Sequence, residues 1–389
     1  MRKFLTAMSY ILVAVLATVT TLCVSSVADA PATAQKTDKL DQLADLIEER
    51  FIGEADRTAM EDAAAAAMVD SLGDRWSYYI PASQYQAHVE TMQNAYVGIG
   101  ITITVTEDNE GFQVTKVNDG GSADEAGMLA GDVIIGIDGQ DTKGMTTEAA
   151  RDLVRGEENT QVMITVRRGT EIIDMNVTRK QVLTPVAVPT MLDNGFGLIT
   201  ITNFDERCAD ETIASIQSLL DQGANALIFD VRFNPGGYKH ELVEVLDYLL
   251  PEGPLFRSED YKGNVYVDES DKDYLDIPMA VLVNADSYSA AEFFAAALSE
   301  YDAAVIVGEP TTGKGYFQQT YQLADGSAVG LSVGKYTTPK GVSLANVGII
   351  PDVVVEVDEQ TLWAIYAQTI DPNEDPQIIA AMEELNKIR

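Results

Sequence analysis

The chain has 389 residues, more than one hydrophobic core usually serves, so two or three folded units are expected. Its 61 acidic against 26 basic side chains give a formal charge of -35, which repels phosphates and anionic headgroups and excludes nucleic acid as a natural partner. Two cysteines, Cys23 and Cys208, and two histidines, His88 and His240, exclude a disulfide framework and leave no metal cluster to argue for.

Arg2 and Lys3 precede an apolar run from Phe4 to Val27, with no charged residue before Asp29. That pattern reads as an export signal or a single span with its N-terminus inside. Ala32, Thr33 and Ala34 before Gln35 form a small-residue cleavage pattern, so residues 1–34 are a signal peptide or a signal anchor. The rest of the chain is then extracytoplasmic, held at the membrane by this segment or released from it. Cys23 follows Thr20, Thr21 and Leu22, without the small neighbour that lipoprotein processing wants.

Residues 35–95 read as a helical lead-in. Leu40, Leu43, Leu46 and Ile47 fall at amphipathic spacing and Ala63 to Ala67 form an alanine run, so this region can pack on the body or on another copy of the chain. At Tyr96 the period changes. Val97, Ile99, Ile101, Ile103 and Val105 alternate with small or polar residues, the pattern of a half-buried strand. Further strands are expected at 112–117, 132–137, 161–167 and 171–178, with one helix near 146–154, so residues 96–179 make a small, mostly β domain.

Residues 180–358 alternate strand and helix, with strands at 197–202, 226–231, 279–284 and 303–307 and helices at 209–222, 241–250 and 289–300. Such alternation predicts an α/β body around a largely parallel sheet, α+β when the small domain is included. Residues 359–389 form a tail of two helices broken at Asp371 and Pro372.

Three segments of the α/β body carry candidate chemistry. Asp230-Val-Arg-Phe-Asn-Pro-Gly-Gly237 is a buried strand ending in a glycine turn, whose N–H groups would stand at the carboxyl end of the sheet where ligands bind. Val281 to Glu292 is a second strand, ending where hydroxyl residues open a helix. Ser287 or Ser289 there either caps the helix or exposes a nucleophilic oxygen beside its N-terminus. Gly308-Glu-Pro-Thr-Thr-Gly-Lys-Gly315 places one lysine in a glycine-flanked loop, but Gly315 stands where a phosphate-binding loop needs Ser or Thr. In the small domain, Ser122-Ala-Asp-Glu-Ala-Gly127 and the Gly131 to Gly139 segment, with the strand opening Gly98-Ile99-Gly100-Ile101, resemble a circularly permuted PDZ domain. N–H groups at Gly98 to Gly100 would cradle a chain-terminal carboxylate, and the adjoining strand edge would take a peptide as an added strand.

Together with Asp74-Arg-Trp-Ser-Tyr-Tyr79, Phe204-Asp-Glu206 and Gly348-Ile-Ile-Pro-Asp352, these segments resemble the C-terminal processing peptidases. That is a family of serine proteases with a crotonase-like α/β core and an inserted PDZ domain. The resemblance implies Ser289 as nucleophile, Lys314 as general base and Gln318, a helical-type step of four beyond it, as the residue orienting that base. It also implies an oxyanion site from the N–H of Ala290 and one of Gly236 or Gly237, with no cofactor. Gly98, Ile99, Gly100 and Ile101 would bind the apolar C-termini of protein or peptide substrates. Tyr288, Ala291 and Phe233 depart from the family's alanine, serine and asparagine and alter the cleft's shape. Three rivals stand beside this reading: a catalytically silent PDZ scaffold binding protein C-termini, a Ser-His site using His240, and a crotonase-type acyl-CoA enzyme.

Overall fold

A computed structural model describes residues 39–388, and the apolar segment assigned above to export lies outside them. The described residues divide into two compact units, 39–73 and 74–388. In the first, helices Lys39–Arg50 and Arg57–Asp70 are joined through Arg57, whose guanidinium reaches Asp41, Asp45, Glu48 and Glu61. The helical lead-in expected over residues 35–95 is interrupted in the second unit. Tyr78–Ile80 is a strand, paired antiparallel with Ala328 to Gly330, before the helix Ala82–Met92. Three residues are too few for periodicity to register, and their partner lies some 250 positions away along the sequence.

The strand expected to run from Val97 to Val105 is two strands. Ala95–Gly98 pairs with Lys180–Leu183, whereas Ile101–Val105 pairs with Phe112–Val117. Gly100, at φ +75°, turns the chain between them, and a positive φ of this kind is what glycine supplies without strain. The strands Val133–Ile137, Gln161–Arg168 and Glu171–Thr178 join them in an antiparallel sheet, closed by helix Thr147–Val154 over a core that includes Ile99, Phe112, Ile134, Ile164 and Val177.

The α/β body holds a six-stranded sheet. In spatial order it runs Ala187–Met191, Gly197–Ile201, Leu227–Asp230, Met279–Val283, Ala304–Gly308 and Val353–Val354, all parallel after the first antiparallel pair. The central strands read as continuous apolar runs because both their faces are covered. Phe229, Val281 and Ile306 pack toward helices Cys208–Asp221, Lys239–Leu249 and Ala290–Glu300, whereas Ile228, Leu282 and Val307 pack with Ile378, Ala381 and Leu385 of the terminal helix Pro376–Lys387. A second sheet, absent from the sequence reading, joins Tyr78–Ile80, Tyr316–Gln322, Ala328–Thr337, Gly253–Asp260 and Val265–Ser270.

Candidate active site

Three neighbouring parallel strands, Leu227–Asp230, Met279–Val283 and Ala304–Gly308, end side by side. The three segments singled out in the sequence are the loops that leave their carboxyl ends, so parallel pairing by itself gathers residues some 80 positions apart at one edge. Backbone bonds then lock the loops together: Tyr288 N–H donates to Asn234 O at 3.1 Å and Thr312 N–H to Ser287 O at 3.3 Å.

Within the second loop the two serines separate cleanly. Ser287 is fully buried and its hydroxyl donates to Val231 O at 2.8 Å, a tie between loops. Ser289 caps the helix Ala290–Glu300 at φ 60°, ψ -125°, a conformation costly for any residue with a Cβ and typical of a side chain forced outward at a sharp strand-to-helix turn. The helix that follows presents its first N–H groups, with their partial positive charge, beside the Ser289 oxygen.

The glycine turn faces this serine. A Cβ on Gly236 would lie 2.6 Å from Ser289 Cβ and 2.8 Å from Ala290 N, so only glycine leaves that approach open. The turn is held by Phe204, whose N–H donates to Gly236 O and whose carbonyl accepts from Tyr238 N–H. Of the proposed oxyanion donors, Gly236 N–H is already given to Asn234 Oδ1 at 2.8 Å. Among the described residues no hydrogen bond engages the N–H of Gly237 or of Ala290.

Lys314 is drawn to the serine through a residue that the sequence reading left without a role. Glu292, fully buried one turn into the helix, accepts from Ser289 N–H at 3.1 Å and Lys314 N–H at 2.8 Å on one oxygen. Its other oxygen accepts from Gly313 N–H at 2.7 Å and from the Thr311 hydroxyl. The Ser-x-x-Glu spacing of a capping box was the available signal. Burial lifts the Glu292 carboxyl above its usual range, while these donors act to keep it ionised.

Burial also pushes the Lys314 ammonium down to about 8, against the opposing pull of the Glu292 and Asp74 carboxylates. Its Nζ stands 4.8 Å from the Trp76 ring centre and 5.8 Å from that of Tyr288, two rings 5.9 Å apart. This contact favours the charged amine. The Ser289 hydroxyl is paired with the Tyr336 hydroxyl at 3.0 Å, not with Lys314. Gln318 lies on a strand, Tyr316–Gln322, so its spacing of four from Lys314 is not a helical step. Its amide donates to Ser332 Oγ at 2.9 Å, and the Ser332 N–H donates to Ser77 Oγ, beside Asp74.

His240 is largely exposed, faces Glu241 and lies against Tyr238, with no bond to Ser289. Phe233, at φ 60°, occupies a backbone conformation that asparagine tolerates better, and its ring packs edge-on against Tyr366. Around the expected carboxylate cradle, Ile99 is buried in the domain core, and the carbonyls of Ile99 and Gly100 accept from Ala123 and Asn118. The N–H groups of Ile99 and Gly100 make no hydrogen bond among the described residues.

Residues 195–355 match peptidase family S41, and residues 113–168 match a PDZ domain. The chain is 33% identical over 327 residues to the carboxy-terminal processing protease CtpA of Bacillus subtilis, covering 83% of this chain and 70% of that one. It is 32% identical over 300 residues to the chloroplastic carboxyl-terminal-processing peptidase 2 of Arabidopsis thaliana, covering 73% of this chain and 58% of that one. A solved structure from Bacteroides fragilis, described as an S41 protease, agrees in fold, with a TM-score of 0.52 at 17% identity over 90% of this chain and 97% of its own.

The α/β core with its PDZ domain is thus that of a serine-type protease. The chain belongs to peptidase family S41.

Proposed function

We propose that this protease cleaves extracytoplasmic proteins with Ser289 as nucleophile, Lys314 as general base and Gln318 orienting the amine, while the PDZ domain captures the substrate's C-terminus. The observation that carries the catalytic assignment is the buried Glu292 carboxylate, which holds the backbone of Ser289 and Lys314 on a single oxygen. A lysine serves as base only when it is neutral near the working pH, and burial that brings Lys314 to about 8 supports that role.

In the proposed reaction the neutral Lys314 amine takes the Ser289 proton as Oγ attacks the peptide carbonyl. The negative charge gathers on the carbonyl oxygen, opposite the N–H groups of Ala290 and Gly237. Collapse expels the amine of the leaving segment, which receives the proton from Lys314, and water then releases the acyl-enzyme by the same steps. In the PDZ domain, the N–H groups of Ile99 and Gly100 would take the substrate's terminal carboxylate. We read residues 96–179 as that domain and 180–358 as the crotonase-like peptidase core, and the apolar segment from Phe4 to Val27 as the export element.

The test incubates the chain from Gln35 onward with an unfolded protein ending in apolar residues, and with the same protein carrying a C-terminal amide. Cleavage of the free-acid substrate, slower cleavage of the amide, and none by folded Ser289→Ala or Lys314→Ala are expected. Equal rates on acid and amide would remove carboxylate capture from the reading. Undiminished cleavage by Lys314→Ala would remove the base.

A further inference from the structure

The geometry points to Tyr336 as a positioning residue that holds the Ser289 hydroxyl in the resting enzyme and competes with Lys314 for it. This inference rests on the assignment of Ser289 as nucleophile and Lys314 as base.

Tyr336 lies near the end of the strand Ala328–Thr337 and is 5% exposed. Its ring is fixed on three sides, by Phe293 at 4.4 Å, Phe256 at 5.4 Å and Phe317 at 6.1 Å between ring centres. Its hydroxyl has one hydrogen-bond partner among the described residues, Ser289 Oγ. Burial among these rings pushes the phenol far above its ordinary range, so it stays neutral and cannot serve as the base. A neutral phenol can still accept the Ser289 proton and turn it away from Lys314. That arrangement lowers the reactivity of Ser289.

The lysine's surroundings complete the resting arrangement. As an ammonium, Lys314 is attracted to the faces of Trp76 and Tyr288. The charged groups acting on it are the carboxylates of Glu292 and Asp74, and the Arg75 guanidinium lies 4.3 Å from the Trp76 ring centre. Loss of its proton removes the attraction to the rings and provides a lone pair to accept from Ser289. The serine hydroxyl then exchanges Tyr336 for Lys314, and removing the phenol oxygen shifts this exchange toward Lys314. Because that exchange stabilises the neutral amine, Tyr336→Phe also lowers the pH at which Ser289 becomes reactive.

The experiment follows labelling of Ser289 by a fluorophosphonate probe between about pH 6 and about pH 10, a range that brackets lysine deprotonation here, in wild type, Tyr336→Phe, Ser289→Ala and Lys314→Ala. With one neutral hydrogen bond removed, Tyr336→Phe is expected to label roughly 2–10-fold faster at the plateau, with its midpoint at lower pH. A plateau no faster than wild type, or an unmoved midpoint, overturns the inference. Labelling that survives in Ser289→Ala, or is undiminished in Lys314→Ala, sinks the underlying assignment instead. Should Tyr336→Phe fail to fold, a crystal structure of the unliganded wild type decides. Oγ within hydrogen-bonding reach of the Tyr336 hydroxyl supports the inference, and Oγ on Lys314 Nζ refutes it.

Discussion

Glu292→Gln breaks the site without removing a reacting atom. The carboxylate receives Ser289 and Lys314 N–H on one oxygen, and Gly313 N–H and the Thr311 hydroxyl on the other. Glutamine keeps the shape but has one acceptor oxygen, so its NH2 must face one of these pairs. The Thr311 hydroxyl can rotate to accept, whereas Gly313 N–H cannot, and the better flip strands one buried donor at a cost of roughly 1–3 kcal/mol. Losing the charge on the remaining bonds adds about 1 kcal/mol, for a total of about 3 kcal/mol. For a chain of 389 residues, whose unfolding entropy scales with length, that lowers the melting temperature by roughly 4 °C. The loosened loops also misplace Lys314 against Ser289, and a shift of about 1 Å costs on the order of 100-fold in rate. The same carboxylate raises the Lys314 pKa against burial, so its removal favours the neutral amine. With Lys314 as the proposed base, activity requires that amine neutral, and the rising limb of kcat/KM against pH is expected to move below about 8 even as the plateau falls. A fluorogenic peptide assayed across pH, with a thermal melt alongside, measures both. A limb that stays put or moves up would falsify the electrostatic argument, and an unchanged plateau with an unchanged melt would refute the structural one.

Wild-type kcat/KM is expected to rise as pH passes about 8, where Lys314 loses its proton, and Lys314→Arg, which stays charged throughout, should be as inactive as Ser289→Ala in the same assay. Gly236→Ala puts a methyl group 2.6 Å from Ser289 Cβ and 2.8 Å from Ala290 N at a φ of +90°, so kcat should fall at least about 100-fold, the scale of a lost oxyanion donor, with the variant's circular dichroism unchanged. Ser289→Gly should melt higher than Ser289→Ala. Both lose the bond to Tyr336, but only glycine relieves the backbone at φ 60°, ψ -125°, a difference of about 1–2 kcal/mol that equal melting temperatures would rule out.

What could be read from the sequence follows what the physics makes local. Leu227–Asp230, Met279–Val283 and Ala304–Gly308 were legible because strands buried on both faces must be unbroken apolar runs. The loops after them were legible because glycine and hydroxyl residues cluster where such runs stop. Tyr316–Gln322, mostly polar and mostly exposed, has no such mark, and only its pairing with Ala328–Thr337 makes it a strand. The spacing from Lys314 to Gln318 was accordingly misjudged as helical, and the partner of Gln318, Ser332, comes from across that ladder. Tyr336 escaped for the same reason, since its tie to Ser289 joins residues 47 positions apart in different sheets and loops. Glu292 was locally visible as the fourth residue of Ser-x-x-Glu, yet a capping box announces only a helix start. Its weight comes from Gly313 and Lys314, which arrive from the next strand of the sheet. The sequence therefore marks the proposed reacting residues more readily than the groups the fold packs around them. The proposed nucleophile and base sit in recognisable loops, whereas Glu292, Trp76 and Tyr336 meet Ser289 and Lys314 only through the fold that surrounds them.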